Sequence, residues 1–479
     1  MNAIEQPTEQ ALQQTLAAQQ RAYLDEGFPD FATRIDRLER AHAQLLKYQD
    51  QICDALSSDF GERSPYITKL TDIAASVSPL NHARKHLKRW MKSERRRTLF
   101  PLNLLGGRSR VVYQPLGVVG ILSPWNFPVN LSFGPLACVL AAGNRAMIKP
   151  SEYTPATSSL MQTMIAEVFD TTEVAVVTGG PEVGMAFSNL PFDHMIFTGA
   201  TSVGKHIMAA AAKNLVPVTL ELGGKSPALV GRSANYAQAA SSIMLGNGMN
   251  SGQVCLKPDY VLVPEEQRDS FVELLKAKAS EMYPSILANQ DYTSIVNQRH
   301  YQRLRGYIDD ARAKGATIIE INPANEDFSQ QAHHKIPPTL VLNPSDDMLV
   351  MQEEIFGPLL PVRTYSDYKD AIAYVNSKPR PLGLYYFGRD AAEETFTLSR
   401  TTSGGVTIND VIMHITQEDL PFGGVGPSGM GAYHGFDGFK TFSHAKAVYR
   451  QSRLDVAGLG GLKPPYGKKT VNAIKMQLK

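Results

Sequence analysis

Apolar positions recur with helical spacing through residues 8–60, as in RIDRLERAHAQLLKYQDQICDAL, which predicts two or more helices with Cys53 packed inside them. From residue 108 the pattern shortens. RSRVVYQPLGVVGILSPWNFP reads as a strand, a turn at Gln114-Pro115 and a buried strand. A helix (PLACVLAAGN, carrying Cys138), a strand (RAMIKPS), a helix (ATSSLMQTMIAEVF) and a strand (EVAVVTG) follow. Then come a helix near 182–189, a strand (HMIFTGA), a helix (VGKHIMAAAAKNL) and a strand (VTLELGG). Buried strands alternating with helices specify an α/β fold with a doubly wound parallel sheet. Residues 235–410 repeat the alternation, with strands DYVLVP, ATIIEI and GGVTIND and helices RDSFVELLKAKASEMY and YQRLRGYIDDARAKG. That predicts a second α/β domain. LPFGGVGPSGMGAYHG, residues 420–435, is dense in glycine and reads as loop.

The chain has 479 residues, of which 43% are hydrophobic, enough for a large core and several domains. A net charge of +2 gives no reason to expect a nucleic-acid partner. Residues 84–97, RKHLKRWMKSERRR, carry eight Lys or Arg in fourteen positions. Against that balanced total they read as the solvated face of a helix ending near Arg97 rather than as a phosphate patch. Three cysteines cannot build a disulfide framework, so a reducing, cytoplasmic setting is expected. The opening residues lack the basic start and apolar run of a signal peptide. No run of about 18 apolar residues predicts a membrane span. The closing stretch GLKPPYGKKTVNAIKMQLK is basic and mildly amphipathic and reads as a solvated tail.

Several motifs fail on inspection. GGKS at 223–226 lacks the earlier glycine of a phosphate-binding loop, because Thr219 stands there. GPSGM at 426–430 ends in Met430 where a nucleophile elbow needs glycine. Neither HExxH nor paired CxxC occurs, so no metal site is expected, and His333 and His334 read as surface residues. A stronger constellation has four parts. Cys255 in MNSGQVCLKP sits among small polar residues, unlike a packing cysteine, and a thiolate is a potent nucleophile. Glu221 ends the buried strand of VTLELGGKSP, where open sheets bind ligands, although a solvated strand-end carboxylate fits the local sequence too. Asn126 in SPWNFP can donate to an oxyanion, or simply make a turn. Glu354 and Phe356 precede a Gly-Pro turn in EEIFGP. GATSVG, residues 199–204, follows a strand and opens a helix, which suits phosphate binding.

SPWNFP, KPSE, FTGATSVG, LELGGKSP, NSGQVC, EEIFGP and PFGGVGPSGMG together, in this order and spacing, resemble an aldehyde dehydrogenase over nearly the whole chain. NDVIMHITQEDLPFGGVGPSGMGAYHG is similar to the shorter class 3 branch, and within it to bacterial coniferyl aldehyde dehydrogenases.

The resemblance implies oxidation of an aldehyde to a carboxylic acid, with Cys255 as nucleophile, Asn126 as oxyanion donor and Glu221 as base for thioester hydrolysis. It implies a Rossmann-like cofactor domain (1–98 and 115–223), a catalytic domain (224–415), small β bridging segments (99–114 and 416–450) and a tail (451–479). For the cofactor it implies Lys149 and Glu152 at the adenosine ribose, and Gly199, Ala200, Thr201, Ser202, Val203 and Gly204 near the pyrophosphate. Glu354 and Phe356 are implied at the nicotinamide ribose. A carboxylate at Glu152 disfavours a 2′-phosphate, so NAD is expected over NADP, with NADP still possible. Phe127, Met249, Ile412 and Ile415 are implied as an apolar substrate tunnel suited to aromatic or medium-chain aldehydes. A homodimer is implied as well. The alternatives are a medium- or long-chain fatty aldehyde dehydrogenase and a CoA-acylating enzyme, the latter disfavoured by Glu221. A cysteine hydrolase or acyltransferase lacks a His-bearing motif near Cys255, and an inactive relative would have lost one of Cys255, Glu221 and Asn126.

Overall fold

The helical spacing of the first sixty residues becomes three helices, Glu9–Glu26, Phe31–Lys47 and Gln49–Phe60. Thr8 and Asp30 cap the first two by accepting the N–H groups of Ala11 and Thr33. The computed structural model describes residues 7–100 and 102–478; the polar opening MNAIEQ, Pro101 and Lys479 fall outside them. A fourth helical run covers Pro65–Thr68, a π-helical turn Lys69–Ala74 and Ala75–Trp90. It stops at Trp90 rather than near Arg97, because the Trp90 ring is buried and the chain then pairs as a strand. That strand, β1 (Glu94–Arg96), lies antiparallel to β2 (Arg108–Pro115). The expected turn at Gln114-Pro115 falls later, since Pro115 ends β2 and the N–H groups of Leu116 and Gly117 both donate to Asn144 Oδ1, at 2.7 and 3.0 Å.

The first sheet contains β3 (Val118–Leu122), β4 (Arg145–Lys149), β5 (Val174–Val176), β6 (His194–Thr198) and β7 (Val218–Glu221), all parallel. Every residue of β3, β4 and β6 is buried, which is why these strands read as continuous apolar runs. Their order is β7-β6-β3-β4-β5. The chain starts in the middle, builds outward through β4 and β5, then crosses back to add β6 and β7. The crevice beyond the carboxyl ends of β3 and β6 is therefore a topological switch point, the place where such sheets bind ligands.

The second sheet holds β8 (Pro227–Val230), β9 (Tyr260–Pro264), β10 (Thr317–Glu320), β11 (Thr339–Leu342), β12 (Leu359–Tyr365), β13 (Gly383–Phe387) and β14 (Gly405–Ile408). Its order is β10-β11-β12-β9-β8-β13-β14, parallel except where β10 meets β11. Sequence patterning marks β9, β10 and β14 and misses the other four, among them the seven-residue β12, which lack a clear alternation of their own.

The glycine-rich segment 420–435 is not wholly loop. It contains β15 (Gly429–Met430), antiparallel to β7 with Gly429 opposite Glu221. Gly429 has φ +146°, and a Cβ there would overlap the Leu220 carbonyl oxygen, so only glycine lets the backbone come this close. The last strand, β16 (Ser443–Arg450), returns to β2 and completes a small three-stranded sheet. The tail ends in an exposed helix, Lys468–Gln477. No described helix is long and apolar enough to cross a membrane.

Candidate active site

A cavity of about 880 Å³ lies where the two large sheets meet. The first sheet contributes the ends of its strands: Trp125 and Asn126 after β3, Thr198–Ser202 after β6, and Glu221–Lys225 after β7. The second contributes the approaches to its strands: Cys255 before β9, Glu353, Glu354 and Phe356 before β12, and Arg380 and Leu382 before β13. Asn126, Glu221, Cys255 and Glu354 thus line one space although the sequence separates them widely.

Cys255 owes its position to an inverted backbone. After helix Tyr236–Gly248, residues Asn250, Ser251 and Gly252 take φ values of 49, 51 and 69°. Such conformations cost about 1–2 kcal/mol at a non-glycine residue. Local hydrogen bonds hold the turn despite that strain. Asn250 Nδ2 donates to the carbonyls of Asn126 (3.2 Å) and Gln253 (3.3 Å), and the Ser251 hydroxyl donates to the Thr293 carbonyl. Gln253 Nε2 donates to the carbonyls of Asn250 (2.9 Å) and Ser294 (3.0 Å), while its Oε1 accepts the Val296 N–H at 3.0 Å. Small polar residues therefore surround the thiol because they build this turn. Burial, then Glu354, then Glu221, push the Cys255 thiol up to about 12.

Glu221 is buried, and among the described residues neither carboxylate oxygen has a hydrogen-bond partner. Burial raises its carboxyl well above the usual range. An unpartnered buried carboxyl facing a cavity is poised to meet water or ligand rather than to support the fold. The Asn126 amide donates to the Gln253 carbonyl at 3.1 Å, which brings it beside the Cys255 turn.

Glu354 packs on Gly223, where any Cβ would overlap its carboxylate. Burial first, then neighbouring Asp259, raise the Glu354 carboxyl to about 8. Asp259 anchors this loop: it pairs with Lys225 and with Lys257 (3.2 Å) and accepts the Ile355 N–H at 3.2 Å. Lys225 also donates to the carbonyls of Val350 (2.8 Å) and Glu353 (3.0 Å).

Gly199, Ala200, Thr201 and Ser202 line the cavity at the start of helix Thr201–Ala212. Free N–H groups at a helix start suit an anionic phosphate. Val203 and Gly204 fall outside the wall: Val203 is exposed and Gly204 packs on Leu222. Lys149 and Glu152 pair at 3.0 Å, also beyond the wall. Of the expected tunnel residues Ile415 lines the cavity, whereas Phe127, Met249 and Ile412 are not part of its wall and belong to the same apolar cluster as Ile415 and Cys255. Trp125, Leu131, Phe422 and Tyr433 form wall that sequence reasoning missed. Phe422 and Tyr433 are fixed to each other by two backbone hydrogen bonds, of 2.9 and 2.8 Å. The only signal for Tyr433 was an aromatic residue inside a glycine-rich segment.

Residues 2–448 match the aldehyde dehydrogenase family, and the chain belongs to that family. It is an enzyme that oxidises aldehydes with a nicotinamide cofactor. A probable coniferyl aldehyde dehydrogenase of Caulobacter vibrioides is 60% identical over 454 residues, covering 95% of this chain and 94% of that protein. A coniferyl aldehyde dehydrogenase from a Pseudomonas species is 55% identical, covering 94% of this chain and 92% of that one. The substrate-bound structure of AldH from Staphylococcus aureus superposes with a TM-score of 0.90 at 37% identity, covering 100% of both chains.

Proposed function

We propose that this enzyme oxidises coniferyl aldehyde or a related aromatic aldehyde to its acid, through a thiohemiacetal and then a thioester on Cys255. The observation that carries the mechanism is that Cys255, Asn126 and Glu221 line one cavity, with Glu221 unpartnered. As Cys255 Sγ bonds to the aldehyde carbon, its proton leaves to water in the cavity and the carbonyl π electrons move onto oxygen. The Asn126 amide and the Cys255 backbone N–H hold the oxyanion, and one such donor is typically worth about 10²–10³ in rate. Glu221 takes the proton of the water that hydrolyses the thioester. Burial raises the Glu221 carboxyl above its ordinary range, which strengthens it as a proton acceptor.

The cleft fits the cofactor by its chemistry: a helix start at Thr201 and the Glu354 carboxyl, seated on Gly223, line the same cavity as Cys255. Bound there, a nicotinamide supplies the hydride acceptor. Lys149 and Glu152 are assigned to the adenosine ribose, and the Glu152 carboxylate favours NAD over NADP. Phe127, Met249 and Ile412 are assigned to the substrate tunnel together with Ile415, with which they share an apolar cluster. Aromatic substrates are supported by the ring-bearing wall of Trp125, Phe356, Phe422 and Tyr433, and by the names of the two bacterial relatives. A homodimer is the proposed assembly, supported by Leu99, Phe100 and Leu104, which are exposed between β1 and β2 of the small three-stranded sheet, and a cytoplasmic setting is proposed from the three free cysteines.

The test is acid formation from coniferaldehyde and from decanal, each with NAD and NADP, with the acid quantified chromatographically. Faster turnover of coniferaldehyde with NAD supports the proposal. Faster turnover of decanal makes this a fatty aldehyde enzyme. Acyl-CoA formed in place of free acid when CoA is supplied would overturn the hydrolytic role of Glu221.

A further inference from the structure

The π-helical turn Lys69–Ala74 carries Asp72, whose side chain is wholly buried and paired at 2.6 Å with the equally buried Arg63. Neither feature is explained by stability. Burying two charges costs about as much as their attraction returns, and a π turn is a rare departure found often at functional sites.

The contacts of the pair point elsewhere. Arg63 Nη1 donates to the Asn126 carbonyl at 3.0 Å. Its guanidinium lies over two rings, 4.9 Å from the centroid of Phe60 and 5.3 Å from that of Phe127. Asp72 Oδ1 accepts the N–H groups of Val129 (3.1 Å) and Asn130 (3.3 Å), where helix Asn130–Ala142 begins. Together the pair grips both ends of the segment 126–130.

The residues flanking Arg63 bind the opposite half of the molecule. The Glu62 carbonyl accepts the Ser294 N–H at 2.9 Å, the Glu62 carboxylate pairs with Lys335 at 2.7 Å, and the Ser64 hydroxyl donates to Asp291 at 2.8 Å. Residues 293–296 are the same ones that hold Ser251 and Gln253 in the Cys255 turn. The segment 62–72 is thus a strut between the Asn126 loop and the support of the Cys255 turn.

We propose that Arg63 and Asp72 are positioning residues, which fix the Asn126 amide relative to Cys255. This rests on the reading of Asn126 as the oxyanion donor. A displacement of about 1 Å at a catalytic group can cost about 10²-fold in rate, so the pair acts on kcat rather than on cofactor binding.

The experiment compares Arg63→Met/Asp72→Leu, which removes both charges and strands neither, with Asn126→Ala and with the triple variant. The double variant is expected to bind NAD as the wild type does, by fluorescence titration, while kcat falls about 10- to 100-fold. The triple variant is expected to lose no more than Asn126→Ala alone. A double variant with wild-type kcat overturns the proposal, and so does a triple variant whose losses multiply. If Asn126→Ala itself leaves kcat unchanged, the oxyanion reading fails instead. Should the double variant not fold, Arg63→Lys takes its place. It keeps a cation beside Asp72 but loses the fork that reaches Asn126, and wild-type kcat in that variant equally overturns the proposal.

Discussion

The Asn126 side-chain amide donates to the Gln253 carbonyl at 3.1 Å, joining positions 127 residues apart in sequence. Through that bond the loop after β3 and the loop before β9 share one backbone frame at Cys255. Replacing Asn126 with Ala removes the donor and leaves the Gln253 carbonyl with Asn250 Nδ2 as its remaining side-chain partner. The expected loss in kcat is about 10²–10³-fold, larger than the accompanying change in KM. Steady-state kinetics check this; a kcat within twofold of wild type would remove the amide from oxyanion binding.

Gly252→Ala is expected to be severe. Gly252 has φ +69°, and a Cβ there would overlap the Gly357 carbonyl oxygen. The conformation alone costs about 1–2 kcal/mol, and the overlap adds to it. Because Gly357 belongs to the loop carrying Glu354 and Phe356, a folded variant should also show raised KM for the cofactor. Thermal unfolding and cofactor titration read the two effects; wild-type values in both would mean that the turn tolerates a side chain.

Part of this arrangement was legible in the sequence. Cys255, Glu221 and Asn126 stand in short local motifs whose composition reflects their own turns and strand ends. Arg63 and Asp72 were not legible, because their purpose depends on partners such as Asn126, 63 positions from Arg63. β15 hid inside a run of glycines because its pairing with β7 depends on close backbone approach rather than on side-chain pattern. Val203 looked like part of the phosphate motif, yet the first turn of helix Thr201–Ala212 leaves it exposed and outside the cavity wall, a facing that the motif alone does not give.

Glu354 should make stability depend on pH. Its carboxyl, ordinarily near 4.5, is raised to about 8 by burial. The folded state therefore holds this proton more tightly than the unfolded chain. The resulting stabilisation is full below 4.5 and is lost as pH rises through about 8. In Glu354→Gln that loss is absent, so the variant should gain on the wild type in Tm between pH 5 and pH 9. Parallel Tm–pH curves would show that the carboxyl is already ionised in the ligand-free protein.

Glu152 should set the cofactor ratio. Removing its carboxylate with Glu152→Gln is expected to raise kcat/KM for NADP relative to NAD by about 10-fold, since like-charge repulsion of the 2′-phosphate disappears while Lys149 stays. An unchanged ratio would locate the discrimination elsewhere.

In the proposed mechanism Cys255 carries the acyl group and Glu221 releases it. Glu221→Gln keeps the shape of the site but abolishes the base. Rapid mixing of this variant with coniferaldehyde and NAD, followed by acid quench and mass spectrometry, tests the claim directly. The expected result is one fast equivalent of NADH, an acyl adduct mapped to Cys255, and steady-state turnover reduced at least about 10²-fold. Wild-type turnover with no adduct on Cys255 would contradict it.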